Sequence, residues 1–438
     1  MRATLTQIWL RLQASYYFIP SLMVVGALGL ATLTTQIDLA YQVEIEERLG
    51  WFLAGTAAGA RSILGAIAGS MISVAAVTFS LTMVAVTTAA GQYGPRLISN
   101  FMRDRANQIT LGTFLATFLY ALLVLRNVSA LQEDGEIGLV PSLSVLVALL
   151  LTLMSVGVLI HFIHHIPETL NVGTITSRVA RKLNTRIRTG IFPIMKGLEA
   201  VEADGLGDPF DPATTQTARA DAPGFVETIS LKGLVEWAAD NRLRARLRCA
   251  PGDFLFTGDA LVDLVGDDPS AMPDLDMCAD ARGFFAQGPE RTEHQNVLFL
   301  ADELVEIAAR ALSPGVNDPF TAINCIHWFG EACVAMMESA HPATCVGLSD
   351  GAPRVWTSTV DFERLIGVLF GQCRQYICAD ENAARSAFRT LYALKARAPS
   401  AHEEQVDREI KALKRAVAQG PLGEAQKERL RQGPPFDY

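Results

Sequence analysis

The sequence predicts a membrane α-helical bundle of four transmembrane helices, followed by a cytoplasmic α+β domain with a helical C-terminal part. Three observations carry this. Four long apolar runs crowd into the first 165 residues. Those residues hold eight basic and eight acidic side chains and no lysine. The remainder holds 29 basic and 38 acidic residues of the 37 and 46 in the chain, so the net charge of −9 sits entirely there. This split excludes a wholly soluble enzyme and a disordered chain. It also excludes a general nucleic-acid binder, which needs a basic surface.

A helix needs about 20 apolar residues to cross a bilayer core of about 30 Å. Four stretches qualify: Tyr16 to Thr35, Ser62 to Ala90, Ile109 to Leu125 and Leu139 to Ile163. The first is too long for a cleaved signal peptide, and no small-residue cleavage site is clear at its end. Flanking charges set the orientation. Arg2 and Arg11 precede the first span. The first loop carries Asp38, Glu44, Glu46 and Glu47 against Arg48. The second carries Arg96, Arg103 and Arg105 against Asp104. The third carries Glu133, Asp134 and Glu136, with Arg126 at its edge. Arg178, Arg181, Lys182, Arg186, Arg188 and Lys196 follow the fourth, against Glu168 and Glu199. Alternate segments are basic, which places both termini in the cytoplasm. Tyr16, Tyr17, Phe18 and Trp51 fall where interfacial aromatics are expected.

The second span has no charge between Arg61 and Arg96 and would extend past the bilayer as a helix. Gly59, Ala66, Ser73, Ser80 and Thr87 recur on it every seven residues. Ser62, Gly69, Ala76 and Ala90 fall on the same grid three residues later, with Met83 the exception, and Ser70 lies beside it. Small residues let helix backbones approach closely. Hydroxyls also line conduction paths. Ser70, Ser73, Ser80 and Thr87 are therefore candidates either for a packing seam or for a pore lining. No ionisable residue lies mid-span, which disfavours a proton-coupled pump.

His161, His164 and His165 close the fourth span. His161 and His165 share a helix face. They are candidates for metal binding or pH sensing, beside the simpler reading of histidines at lipid headgroups. The basic helix expected over residues 168–200 would meet anionic lipid.

Residues 202–223 have linker composition. A small β-rich unit follows. Gly224–Ile229 is a strand, Leu231–Asn241 a helix and Leu243–Cys249 a strand with Arg242, Arg244, Arg246 and Arg248 on one face. Phe254–Thr257 and Ala260–Val265 form a hairpin about Gly258-Asp259. The hairpin resembles half of a barrel-sandwich module, but no lysine stands at its turn, so no attached cofactor is expected. The arginine face offers an anion site or a solvated surface.

His294–Leu312 has the spacing of an amphipathic helix. Ser313-Pro314-Gly315 ends it, Asn317 or Asp318 caps the next, and Pro319 opens that helix, from Phe320 to about Ser339. Arg291, Arg310, Ser313, Asn317, Asp318 and Thr321 are candidates for a ligand or gating site. Glu303, Glu306 and Asp318 offer a metal instead, and a rigid helix–turn–helix accounts for the same residues. Asp361–Cys378, Glu381–Arg397, Ala401–Ala418 and Leu422–Leu430 show helical spacing. All seven cysteines lie in this half without a CxxC pair, which fits reduced thiols in a cytosolic domain. The implied domains are 1–166, the four spans; 167–223, a basic juxtamembrane helix and linker; 224–290, the β-rich unit; and 291–438, mainly helical.

The segments ARALSPGVNDPFTA and SMISVAAVTFSLTMVAVTTAAGQYGPRLISNFMRD, with LGTFLATFLYALLVLR, GFVETI, PGDFLFTG and Arg291-Thr292, resemble a family of predicted bacterial membrane proteins with a domain of unknown function. The resemblance covers nearly the whole chain and implies the architecture, not an activity. It puts an aspartate more commonly at the position of Asn296.

No Ser/His/Asp spacing, phosphate-binding glycine loop or HExxH occurs, so no catalytic residue is assigned. The leading expectation is an oligomeric inner-membrane ion channel or transporter, with the second span lining the path and a cytoplasmic domain that responds to a ligand. The alternatives are a non-conducting membrane-anchored sensor or scaffold and, third, a membrane-surface enzyme. Expected partners are the bilayer, anionic lipids at the basic segment, copies of the same chain and a small ion or ligand; none is nucleic acid.

Overall fold

A computed structural model describes residues 16–41, 57–94, 104–133, 141–189, 198–201, 208–268, 272–293, 295–339, 345–348, 352–357 and 360–431. The expectations for Arg2, Arg11, Glu44, Glu46, Glu47, Arg48, Trp51, Arg96, Arg103, Asp134, Glu136, Leu139, Lys196 and His294 lie outside these residues. The chain forms two compact units, one holding the four apolar helices and the other holding Val172 onward.

The apolar helices are α1 (Phe18–Ala40), α2 (Ala57–Tyr93), α3 (Arg105–Glu133) and α4 (Ser142–Leu170). All four are long and apolar enough to cross a membrane. Each outruns its uniformly apolar stretch, because a helix persists wherever its backbone bonds are kept. The longest, α2, has 37 residues, about 55 Å at 1.5 Å per residue. Three boundary expectations are thereby corrected. Asp38 is in the last turn of α1 rather than in a loop, and Arg126 and Glu133 lie within α3.

Ala27 and Ala31 of α1 let that helix approach α3, where Phe114, Tyr120, Ala121 and Val124 are buried. Gly112 serves the same approach. A Cβ there would come 2.6 Å from Met23 Sδ and 3.1 Å from Pro20 Cα. Val145 and Ala148 of α4 close the bundle. The helix α2 joins it along one stripe: Leu64, Ile67, Ala68, Met71 and Ala75.

The second unit starts with α5 (Val172–Thr189). Its apolar face, Ile175, Val179, Ala180, Leu183 and Ile187, is buried, and its five basic residues face no acid of their own helix. Strands and helices then follow as β1 (Leu198–Val201), β2 (Gln216–Arg219), β3 (Gly224–Ile229), α6 (Leu231–Asp240), β4 (Leu243–Leu247), β5 (Phe254–Leu255), β6 (Ala260–Gly266), α7 (Leu275–Arg282) and β7 (Phe285–Gly288). The helices α8 (Val297–Ala311) and α9 (Pro319–Glu338) come next, then β8 (Cys345–Leu348) and β9 (Pro353–Trp356). The end is helical: α10 (Phe362–Ile366), a π-helical turn Gly367–Gly371, α11 (Arg374–Ile377), α12 (Glu381–Lys395), α13 (Ser400–Gln419) and α14 (Glu424–Arg431).

The strands make two sheets, ordered β1-β8-β9-β4-β6-β2 and β5-β3-β7. The larger one draws on distant parts of the chain. β4 pairs with β9 in parallel, Ala245 opposite Val355, and β1 pairs with β8, Leu198 opposite Leu348. The stretch read as linker thus contains β2, and the stretch read as a basic helix up to residue 200 contains β1. One core of Val226, Leu234, Val235, Ala245, Val262 and Leu264 lies between the strands and α6. Gly252 has φ +96°, and a Cβ there would lie 1.8 Å from Asn296 Nδ2, so this turn accepts only glycine.

The helical core packs α9 against α8, α5 and α12. Phe329 and Phe370 meet edge to face, 5.6 Å between centroids. The single helix expected over Asp361–Cys378 is broken by the π-turn. All seven cysteines are buried and free of disulfides.

Candidate functional site

The α2 stripe lies on the outer side of its bundle. Ser70, Ser73, Ser80 and Thr87 are all exposed, opposite the buried line of Leu64, Ile67, Met71 and Ala75. Ser70 donates to the Ile67 carbonyl at 3.0 Å, Ser73 to Gly69 at 2.8 Å and Thr87 to Met83 at 2.9 Å. Each of these three protons is satisfied within the helix, and the oxygen lone pairs are left facing outward. Val77 and Val84, each 60% exposed, share that outward side.

The hydroxyls buried inside the membrane unit are different ones. Tyr120, fully buried, shares a proton with Thr34 at 2.8 Å and donates to the Ser144 carbonyl at 3.1 Å. Thr117 and Ser155 meet at 3.1 Å. Asp38 accepts from Leu143 N and Ser144 N, both at 2.9 Å, and from Ser144 Oγ at 2.6 Å. A carboxylate is favourable there because helix N-termini leave N–H groups unpaired and carry a positive dipole end. These contacts tie α1, α3 and α4 to one another. The sequence signal was Thr110, Thr113, Thr117 and Tyr120 recurring at helical spacing in an otherwise apolar span.

The three histidines do not converge. His165 Nε2 lies 3.2 Å from Asp104 Oδ2, and the His161 ring stacks on His165 with centroids 5.6 Å apart. His164 is 81% exposed on another face, 3.4 Å from Glu168. Among the described residues, no three histidine, cysteine or acidic side chains gather as metal ligands.

The SPGVNDP segment is a tightly bonded turn. Ser313 Oγ donates to the Arg310 carbonyl at 2.6 Å, and Asp318 N donates to the Ala311 carbonyl at 2.8 Å. Of the two possible caps, Asp318 is the one used. It accepts from Thr321 N at 3.2 Å and from Thr321 Oγ1 at 2.5 Å. Asn317 supplies the left-handed residue, φ +49°, a conformation asparagine tolerates better than most. Ser313, Asn317, Asp318 and Thr321 are therefore together. Arg291 is not with them. It donates to Asp302 Oδ2 at 2.6 Å, eight residues or about 12 Å along α8 from Arg310. Arg310 pairs with Glu306 at 3.7 Å. The turn also presents two apolar side chains outward, Val316 at 45% and Phe320 at 75% exposure.

The arginine face of β4 is occupied by its own acids. Arg246 reaches Asp208 at 3.1 Å and Asp263 at 3.2 Å and covers the Phe210 ring at 4.4 Å. Arg244 and Arg354 share Asp267 at 3.1 and 2.7 Å. Partial burial raises the Asp267 carboxyl, but Arg354 and Arg244 more than offset this and hold it below the ordinary range. A ladder neutralised in this way is a poor anion site. Burial likewise pushes the Cys249 and Cys373 thiols up to about 12, which makes them inert.

Residues 13–393 match the family described as predicted membrane protein (DUF2254), and the chain belongs to that family. It is similar to uncharacterized proteins of Mycobacterium tuberculosis and Mycobacterium bovis. Each is 29% identical over 369 residues, covering 83% of this chain and 68% of the relative. No solved structure matches.

Proposed function

We propose that this member of the family assembles in the inner membrane as an oligomeric ion channel or transporter, with both termini and the second unit in the cytoplasm. In this reading copies of α2 line the path, and the second unit gates it on binding a ligand. One observation carries the proposal: the hydroxyl stripe of α2 faces away from its own bundle. Hydroxyls turned to lipid gain nothing, whereas between copies of α2 their lone pairs line a polar path. The 3.5-residue repeat suits helices that supercoil about one another. Ionisable groups are absent from the middle of α2, which fits passive flux better than proton coupling. Arg178, Arg181 and Arg186 pair with no carboxylate among the described residues and suit anionic lipid headgroups.

A second reading has its own support. Val77 and Val84 share the outward side, and the hydroxyl protons are bonded within the helix, as in a seam that only packs. The protein would then be a membrane-anchored sensor or scaffold. Flux of cations and anions through liposomes holding the purified chain separates the two. The expected result is a selective flux that Ser80→Leu blocks while assembly is retained. Unchanged flux in that variant removes α2 from the mechanism, and no flux under any ionic condition leaves the scaffold.

A further inference from the structure

The exposed Val316 and Phe320 stand on a tightly bonded turn. On a flexible tail such exposure would mean little, but here the backbone is fixed by Asp318, Asn317 and Ser313. The direction in which the turn points is set by its neighbours. α5 and α9 run side by side and in the same sense. Asn324 Nδ2 donates to Thr176 Oγ1 at 3.2 Å near their starts, and Arg188 Nη2 reaches Glu338 Oε2 at 3.1 Å near their ends. The start of α9, where Phe320 sits, therefore lies beside the start of α5.

The start of α5 is tied to the membrane by the chain itself. Only Asn171 separates it from α4, and the apolar span of α4 ends at Ile166. Thr176 is five residues past Asn171, about 8 Å of helix, and Phe320 is four residues before Asn324, about 6 Å. Thr176, which the start of α9 touches, thus lies ten residues along the chain from the end of the apolar span. The exposed side of α5 is basic: Arg178 and Arg181 are both exposed on a helix that has no acid.

We propose that the SPGVNDPF turn is a membrane-docking element, with Val316 and Phe320 seated in the headgroup layer of an anionic bilayer and Arg178 and Arg181 on its phosphates. Exposed apolar side chains and exposed arginines on neighbouring elements are what an interfacial segment needs. The apolar groups enter the acyl boundary while the cations meet the anionic surface. The bonded turn lowers the cost of docking, since little backbone freedom is lost on contact. This role holds whether or not the protein conducts, because it uses neither α2 nor a ligand.

The test is photo-crosslinking of the full chain in nanodiscs of phosphatidylethanolamine and phosphatidylglycerol, with Phe320→p-benzoylphenylalanine. Val316→p-benzoylphenylalanine is a second position should the first disturb folding, and Phe256, exposed just after β5 (which pairs with β3 and not, as the sequence suggested, with β6 in a hairpin), is the comparison. The expected result is a mass adduct of one phospholipid at 320 and 316. Its yield should fall severalfold when Arg178→Glu and Arg181→Glu are added, or when phosphatidylglycerol is left out. Adducts only to peptides of this chain or of a second copy overturn the proposal in favour of a protein contact. No adduct at either position shows that the turn faces water and overturns it too.

Discussion

Replacing Asp318 by alanine tests whether the SPGVNDP turn is held as described. The carboxylate makes two bonds to Thr321, one to the backbone N–H and one to the hydroxyl. Loss of an N-cap costs about 1 kcal/mol, within a range of roughly 0.5–2. Loss of the side-chain bond adds about 0.5 kcal/mol, near the low end, because the half-buried Thr321 hydroxyl recovers water. The sum is about 1.5 kcal/mol. A unit of this size loses roughly 2 °C per kcal/mol, so the midpoint should fall by about 3 °C. Thr321→Val, which keeps the N–H bond, should cost about a third as much. Asn317→Val, which forces a β-branched residue into the left-handed region, should cost at least about 1 kcal/mol. The assay is thermal unfolding of the full chain in detergent, followed by tryptophan fluorescence; Trp328 lies in α9 itself. An unchanged midpoint for Asp318→Ala, or equal costs for Asp318→Ala and Thr321→Val, refutes the capping account.

Arg374 makes a two-pronged pair with Glu409, with contacts of 2.7 Å to each oxygen, and the Glu409 side chain is only 9% exposed. Glu409→Ala should cost about 3 kcal/mol by leaving the arginine unmatched, and Arg374→Met with Glu409→Leu should recover most of it in the same melt. Glu381 is held down to about 2, first by Arg429 and then by Arg385. Its folded value lies below the ordinary one, so the docking of α14 through Arg429 should be intact at neutral pH and fade as the pH falls through about 4 towards 2. Hydrogen exchange of residues 424–431 at pH 6 and pH 3 checks this, and equal protection counts against it. Burial pushes Cys345 to about 11 and Cys249 and Cys373 to about 12, so iodoacetamide at pH 8 should leave these three unlabelled until the protein is unfolded.

The spans were legible because an unbroken apolar run of such length suits little besides a bilayer core. Their ends were not. Asp38 reads as a loop charge in sequence, and only the fold brings the start of α4, 106 residues away, to donate to it. Within α2 the heptad stripe is plain in the sequence, yet its direction is not, since periodicity shows that a face exists without saying what it meets. The larger sheet was largely hidden. β1, β8 and β9 have four residues each, too few for alternation to stand out, and their partners are far along the chain. The turn was the opposite case. Pro319 and the Asn317-Asp318 pair fix a helix start by local chemistry alone, and only the choice between the two caps waited for the backbone angles. Arg291 was misplaced with that turn because nearness in sequence to α8 does not say which end of the helix it meets.

The bond between Asp38 and the first turn of α4 also bears on biosynthesis. α1 leaves the ribosome long before α4, so its carboxylate waits at the membrane edge until the last span arrives. Until then the three bonds that Asp38 accepts from the start of α4 are unmade. A chain truncated before Ser142 would keep that defect permanently and stay open to proteolysis. The same three hydrogen bonds that lock the finished protein therefore mark the moment at which its membrane half is complete.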